Sequence, residues 1–463
     1  MRSIFHVGGG GMKKLTLLVG VMLVLVFAGS AAAAEFKFHG DLNNRFMLYT
    51  DQAPLYSGSE KAKSRNISKD SIDESWGEIK YRIWFEAASD DGNVKGVYAI
   101  ELGAIRFGNS DVGGAFSGDG KHVENRWAYT DFQIPGVASK ARVTIGLMPF
   151  TVNPYFWSET AMGVRYKGAI VEPVDLTLAW VRGKESFNSD KEDKLFSDLD
   201  AYVARVDVKA VKNIPFGVFA VYQGRSPQDS DRETYVGTTD YEVKTLKTVD
   251  FDLYTLGTDG KAKFGMAFVN WDLMYQGGSL TDNSAKKLDI SAWFAHADVG
   301  VNIDKMRLTY TVWYASGDDN SSDDKISNYL ATDVDMTASR VLMEAYTDDS
   351  YFTEAPYVLD KGLFLNKLAL DFKATKKLTV GGALLYLQTA EDLSLGGGKT
   401  SKKLGTEIDA YMSYQLWPST KLEVGVGYLI AGDAMDYFEV ASARNGSSDA
   451  DIVRVDSRVR YSF

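Results

Sequence analysis

Asp451-Ile-Val-Arg-Val-Asp-Ser-Arg-Val-Arg-Tyr-Ser-Phe463 closes the chain. Val453, Val455, Val459, Tyr461 and Phe463 share one parity, and Arg454, Asp456, Arg458, Arg460 and Ser462 share the other. Successive side chains of a strand point to opposite faces, so this segment has one apolar and one charged face. A soluble strand has little use for that arrangement. A strand between lipid and water needs both faces.

The same alternation recurs upstream. Phe36, Phe38, Leu42, Phe46 and Leu48 oppose Lys37, His39, Asp41, Asn43 and Arg45, and Lys80, Arg82, Trp84 and Glu86 oppose Ile79, Tyr81, Ile83 and Phe85. Eighteen strands are expected, near 36–50, 75–88, 94–107, 123–134, 140–148, 161–170, 173–183, 199–210, 214–224, 248–258, 261–276, 286–299, 303–315, 364–374, 377–389, 403–416, 420–432 and 452–463. Sixteen is the alternative count. Short links (Glu172, Asp259-Gly260, Thr375-Lys376, Trp417-Pro418-Ser419) alternate with long ones such as 225–247, 316–363 and 433–451. Asp-Gly is a two-residue hairpin signal. Strands in lipid cannot leave an edge unpaired, so the expected fold is all-β: a closed transmembrane antiparallel β-barrel with short periplasmic turns and long extracellular loops.

The start of the chain agrees. Met12-Lys13-Lys14, an apolar run from Leu15 to Ala28 and a small-residue stretch to Ala34 read as a secretory signal peptide over 1–34, with Met12 as the expected true start. Residues 35–463 then form one barrel domain, with 48 basic and 62 acidic residues. That balance excludes nucleic acid as a partner. The chain has no cysteine, which excludes disulfides, thiolate chemistry and covalent c-type haem. His39, His122 and His296 form no metal-spaced pair. No Ser/His pair has the spacing of a hydrolase, so an enzyme is not expected. The 25 tyrosines and 24 phenylalanines suit the aromatic girdles of a barrel.

Three stretches carry a family resemblance. They are Gly92–Gly103 with the glycine-rich 108–120 segment, Trp127-Ala-Tyr-Thr-Asp131, and Arg142–Pro149. Together they resemble the outer membrane homotrimeric porins of sulfate-reducing and related bacteria, a general Gram-negative porin type. Gly405–Tyr411 with Gly425–Tyr428 resembles the penultimate hairpin of such porins. Trp127 stands where many relatives carry a basic residue. The resemblance implies an outer-membrane homotrimer for passive diffusion. The terminal strand is also similar to the last strand of outer-membrane barrels, which implies that Tyr461 and Phe463 are read by the barrel-assembly machinery.

A barrel of this size leaves an aqueous lumen, and its lining charges set selectivity. The pore-lining residues expected from parity are Lys37, Arg45, Lys80, Arg82, Arg142, Arg165, Lys167, Arg205 and Arg307, with the acids Glu86, Glu101, Asp131 and Asp207. Arginines facing acids would set a transverse field; equally, they would form salt bridges that stiffen the wall. Residues 149–160 (PFTVNPYFWSET) are expected to form the loop that narrows the pore through Asn153, Tyr155, Trp157 and Glu159, or else an aromatic rim patch. Residues 317–362 hold eleven acids and three bases. They read as a solvated acidic outer loop, able to bridge Ca²⁺ to lipopolysaccharide phosphates, with a helical turn over Thr337–Tyr346. No resident cofactor is expected. Rival functions are a solute-specific porin for organic acids or sugars, and a structural barrel such as the sheath of a porin–cytochrome electron conduit.

Overall fold

A computed structural model describes residues 35–52, 72–116, 118, 120, 123–137, 141–185, 198–225, 249–281, 286–320, 322–335, 337–343, 355–439, 444–448 and 450–463. The expected signal peptide, His122 and residues 344–354 of the acidic stretch lie outside these residues.

The strands are β1 (Glu35–Gln52), β2 (Ile72–Ala88), β3 (Val94–Arg106), β4 (Val123–Gln133), β5 (Arg142–Asn153), β6 (Trp157–Val171), β7 (Val174–Lys184), β8 (Leu199–Val208), β9 (Phe216–Arg225) and β10 (Asp250–Phe264). They continue with β11 (Ala267–Thr281), β12 (Lys287–Ile303), β13 (Met306–Ala315), β14 (Lys325–Ile326), β15 (Leu363–Lys373), β16 (Leu378–Gly396), β17 (Lys399–Trp417), β18 (Thr420–Ala431) and β19 (Ile452–Ser462). Eighteen of them make the wall. β14 is a two-residue strand that runs parallel to β12 inside the segment between β13 and β15. Every wall strand is antiparallel to its neighbours in chain order, and β19 pairs with β1 to close the cylinder.

Closure sets Asn43 opposite Arg460, Arg45 opposite Arg458 and Tyr49 opposite Arg454. Phe463 continues the pairing: its N–H and carbonyl exchange hydrogen bonds with Gly40. Its ring lies against Phe38 and Tyr461. A Cβ on Gly40 would come within 2.5 Å of that ring, so the close approach requires glycine there. The outer face is apolar throughout, with Phe36, Phe85, Leu256, Trp293, Leu384 and Ile408 all exposed. A surface of this extent on a closed barrel belongs in lipid.

Two expected links move. Asp259-Gly260 is not a turn but lies inside β10, opposite Asp272 and Trp271. Gly260 serves there because a Cβ would strike the Trp271 ring at 2.2 Å, and the turn is made instead at Gly265-Met266, where Gly265 has φ +63°. The long link expected between 389 and 403 is mostly strand: β16 and β17 run on to a tight turn at Gly397-Gly398, with φ +58° and +80°. The glycines supply the left-handed backbone that such a turn demands.

Candidate functional site

The site grows from a hairpin that loses its neighbours. β4 pairs with β5 only from Arg142 to Leu147, and β7 pairs with β6 only from Gly163 to Val171. Residues 148–162 are therefore a two-stranded arm with no wall partner. Gly146 and Gly163 face each other where the arm departs. A Cβ at either would sit 2.4 Å or less from the carbonyl oxygen of Ala128 or Trp180. The arm carries apolar residues that a lipid-facing or solvated loop would not bury: Met148, Phe150, Val152, Phe156, Trp157 and Ala161 are all at most 5% exposed.

The tip, Pro154–Phe156, reaches the opposite wall. The Asn153 amide donates to Asp272 of β11 at 2.6 Å and to Asp259 of β10 at 3.3 Å. The Tyr155 ring packs on Phe294, His296 and Trp313 of β12 and β13 at centroid distances of 5.0, 4.6 and 5.4 Å. β5 and β11 are six strands apart in the wall, so these contacts span the lumen. Burial raises the Tyr155 phenol far above the ordinary tyrosine range and keeps it neutral.

A second segment enters between β13 and β15. It is not the solvated acidic loop expected from its charge: Tyr329, Leu330, Ala331, Val334, Val341, Leu342, Met343, Tyr357 and Val358 are buried. The acids alternate with apolar residues that fill the barrel interior, so composition alone misjudged it. The Gln276 side chain clamps Leu330, donating to its carbonyl and accepting from its N–H, both at 2.8 Å. Thr332 N–H donates to Phe156 O, and Ser158 N–H donates to Asp333 O, so the segment is locked to the arm. Farther on, Glu407 of β17 accepts the backbone N–H groups of Arg340 and Val341 at 2.7 and 2.6 Å. The Arg340 guanidinium meets Asp456 of β19 at 2.8 Å, and Lys367 donates to Ala338 O at 2.7 Å. Residues 337–343 are extended and bent rather than helical. The backbone N–H groups that a helix would consume are spent on Glu407. Among the described residues, no group of three or more histidines and acids suits a metal ion.

The lining residues expected from the sequence fall as follows. Glu101 is ringed by three cations: Lys80 at 3.1 Å, Arg82 at 2.5 Å and Arg126 at 2.8 Å. Arg45 meets Glu78 at 2.6 Å, Arg142 meets Asp131 at 2.5 Å, Lys95 meets Glu86 at 3.4 Å, and Lys37 meets Glu35 at 3.3 Å. Arg165 donates to Pro149 O at the base of the arm. Arg205 binds Asp259 and Asp207, and donates to Val152 O on the arm at 2.9 Å. Arg307 lies over the Phe268 ring at 4.1 Å, and Lys167 has no side-chain partner among the described residues. Glu159 stands 3.8 Å from Arg126, and Trp157 packs on Phe150. Lys37 and His39 do not join the β1–β19 seam; they lie opposite Glu86 and Trp84 of β2.

Several participants escaped the sequence. Arg126 sits beside Trp127, and a bulge sets Asn125, Arg126 and Trp127 against only Ala99 and Ile100. The bulge turns Arg126 to the lumen despite its parity. Asp259 was hidden in an apparent turn. Asp272, His296 and Asp298 form a chain across β11 and β12, with His296 Nδ1 2.8 Å from Asp272 and Nε2 3.3 Å from Asp298. The strict alternation around them was the available signal. Between the arm and the short-turn end lies a cavity of about 720 Å³, bounded by Tyr155, Arg205, Asp259, Trp271, His296 and Lys167 among others.

No known protein family and no curated protein sequence matches this chain. Solved structures do match. OprD of Pseudomonas aeruginosa is 13% identical over 94% of this chain and 97% of its own, with a TM-score of 0.53. OpdL of the same organism is 11% identical over 93% and 99%, with a TM-score of 0.52. The outer membrane protein OpdK, also of Pseudomonas aeruginosa, is 11% identical over 92% and 98%, with a TM-score of 0.51. At such identities the likeness is one of fold: a closed barrel of eighteen wall strands.

Proposed function

We propose that this chain is a porin of a Gram-negative outer membrane, forming a water-filled channel for passive diffusion of small hydrophilic solutes. One observation carries the reading: an arm of the wall crosses a charged lumen and is pinned to the far side through Asn153, Tyr155 and Arg205. A barrel that served only as a membrane anchor has no need of a pinned constriction. Selectivity then follows from the groups beside it, the cationic cluster on β2–β6 and the acids Asp259, Asp272 and Asp298 opposite. Single-channel recording in planar bilayers tests this. Discrete conductance steps are expected, and a purified, folded protein that gives none at any voltage overturns it.

The solute-specific version is favoured by the second inward segment, because two locked segments leave a defined cavity rather than an open bore. OpdK has been solved with vanillate, a precedent for a small molecule seated in this fold. A specific solute would block the conductance at sub-millimolar concentration. The sheath of an electron conduit is disfavoured, since the chain's own segments fill the space a threaded partner would need. The resemblance over residues 92–168 to the homotrimeric porins of sulfate reducers supports a trimer, which chemical cross-linking tests. The seating of Phe463 against Gly40 supports its role as an assembly signal.

A further inference from the structure

The cations at the short-turn end of the barrel are not distributed evenly. Along β18, β19 and β1–β5 they are neutralised in place: Lys421 by Glu423 at 2.7 Å, Arg460 by Asp41 at 2.6 Å, Lys37 by Glu35, Lys95 by Glu86 and Arg142 by Asp131. Along β6–β16 the reverse holds. On the turns, Lys212, Lys305, Lys376 and Lys377 are exposed and have no side-chain partner among the described residues. The strand ends Lys261, Lys263 and Lys373 are likewise exposed and unpaired. Lys209 is held by Asp175 at 2.6 Å, and the acids on these turns are Glu172 and Asp304, the latter next to Lys305.

Parity places this charge at the pore rather than against lipid. Lys261, Lys263 and Lys373 fall on the lumen parity of Asp259 and Asp371, and Lys167, Lys209 and Lys261 bound the cavity below the arm, whose own acids, Asp175, Asp207, Asp259, Asp272 and Asp298, are met by Lys209, Arg205, Asn153 and His296. At the opposite mouth Asp319 and Asp324 are exposed and Asp323 is half-buried, with Lys286 3.6 Å from Asp324, at the start of a segment of eleven acids and three bases.

We infer that the unpaired lysine arc makes the short-turn mouth an anion vestibule and that the channel therefore rectifies. The inference rests on the porin reading above. Fixed cations in excess of their neighbouring acids concentrate mobile anions within about one Debye length, about 10 Å at 0.1 M salt and about 3 Å at 1 M. A voltage that drives anions from this mouth into the lumen fills the pore with carriers. The opposite voltage draws them out to bulk solution and depletes it. The acidic far mouth strengthens the effect, because it supplies cations under the first polarity and withholds them under the second. The larger current flows when the long-loop side is positive.

The test uses the full protein in planar bilayers. Because the chain has no cysteine, a Lys376→Cys variant reacting with an anionic thiol reagent added to one side reports the orientation of insertion. At about 0.1 M KCl the ratio of currents at opposite voltages is expected to be roughly two, falling toward one at about 1 M. The exposed-turn variant Lys212→Gln/Lys305→Gln/Lys376→Gln/Lys377→Gln should conduct with a ratio near one at both concentrations. A parent channel that conducts but is ohmic at low salt overturns the inference and leaves the porin reading standing. A quadruple variant that rectifies like the parent also overturns it. Absence of any conductance overturns the porin reading and the inference with it.

Discussion

The β1–β6 side of the lumen and the β8–β19 side solve the same problem differently. Glu101 on the first is satisfied by cations of its own wall, Lys80, Arg82 and Arg126. On the second, Asp272 is met by Asn153 from the arm, Gln276 by Leu330, and Glu407 by the backbone of Arg340 and Val341. The first wall stays satisfied whatever the inward segments do. The second has placed buried polar groups under their control, and an unsatisfied buried group is expensive. The first side touches the constriction only at its base, through Arg165 to Pro149 O and Arg126 to Glu159, and the tip is fastened to the second.

The largest effect should come from Glu407→Ala. Glu407 is fully buried, and its loss strands the backbone N–H groups of Arg340 and Val341. Each buried donor left unsatisfied costs about 1–3 kcal/mol. The segment over 337–343 should detach, and single-channel conductance should rise severalfold while the barrel stays folded; unchanged conductance would show that Glu407 does not hold the segment in the lumen. Next in size is Asn153→Ala. It removes the amide that donates to Asp272 and Asp259, a loss of about 1–3 kcal/mol at the stronger contact. Conductance noise and accessibility of the arm to protease should increase, without the large step expected for Glu407→Ala.

Glu101→Gln sharpens the contrast from the other wall. Three lumen cations lose their shared counter-charge, so the reversal potential in a salt gradient should move toward that of the anion. Conductance should change by less than about twofold, because the tip of the arm is pinned at Asp272 on the other wall. The smallest effect on the finished channel is expected for Phe463→Leu. Its ring lies on the lipid side against Phe38 and Tyr461, where lost aromatic contact amounts to about 1 kcal/mol. The yield of folded barrel should fall while the conductance of what assembles is unchanged.

Much of the wall was legible beforehand because it obeys a local rule. The parity of Val453 to Phe463, or of Lys80 to Glu86, depends on no other part of the chain, and the observed lumen faces follow it. The exceptions arise where the chain departs from a plain ladder. Arg126 reaches Glu101 through a bulge that no composition rule marks. Asp259-Gly260 has the letters of a hairpin turn, yet its glycine is there to admit the Trp271 ring. The acidic 317–362 segment looked solvated because its charges are conspicuous, while the apolar residues between them do the folding.

The chain's sequence alone is enough for the class of fold, a count of eighteen or sixteen strands and the face of most wall residues, because a two-residue period and the demand that lipid-exposed backbone be paired leave few other solutions. What stands in the lumen follows from contacts between strands far apart in the chain. Whether residues 148–162 stay in the wall or cross it depends on where β4 and β7 stop pairing. Whether an acidic segment faces water or the barrel interior depends on partners such as Gln276, Glu407 and Asp456, distant in sequence and brought together only when β1 meets β19.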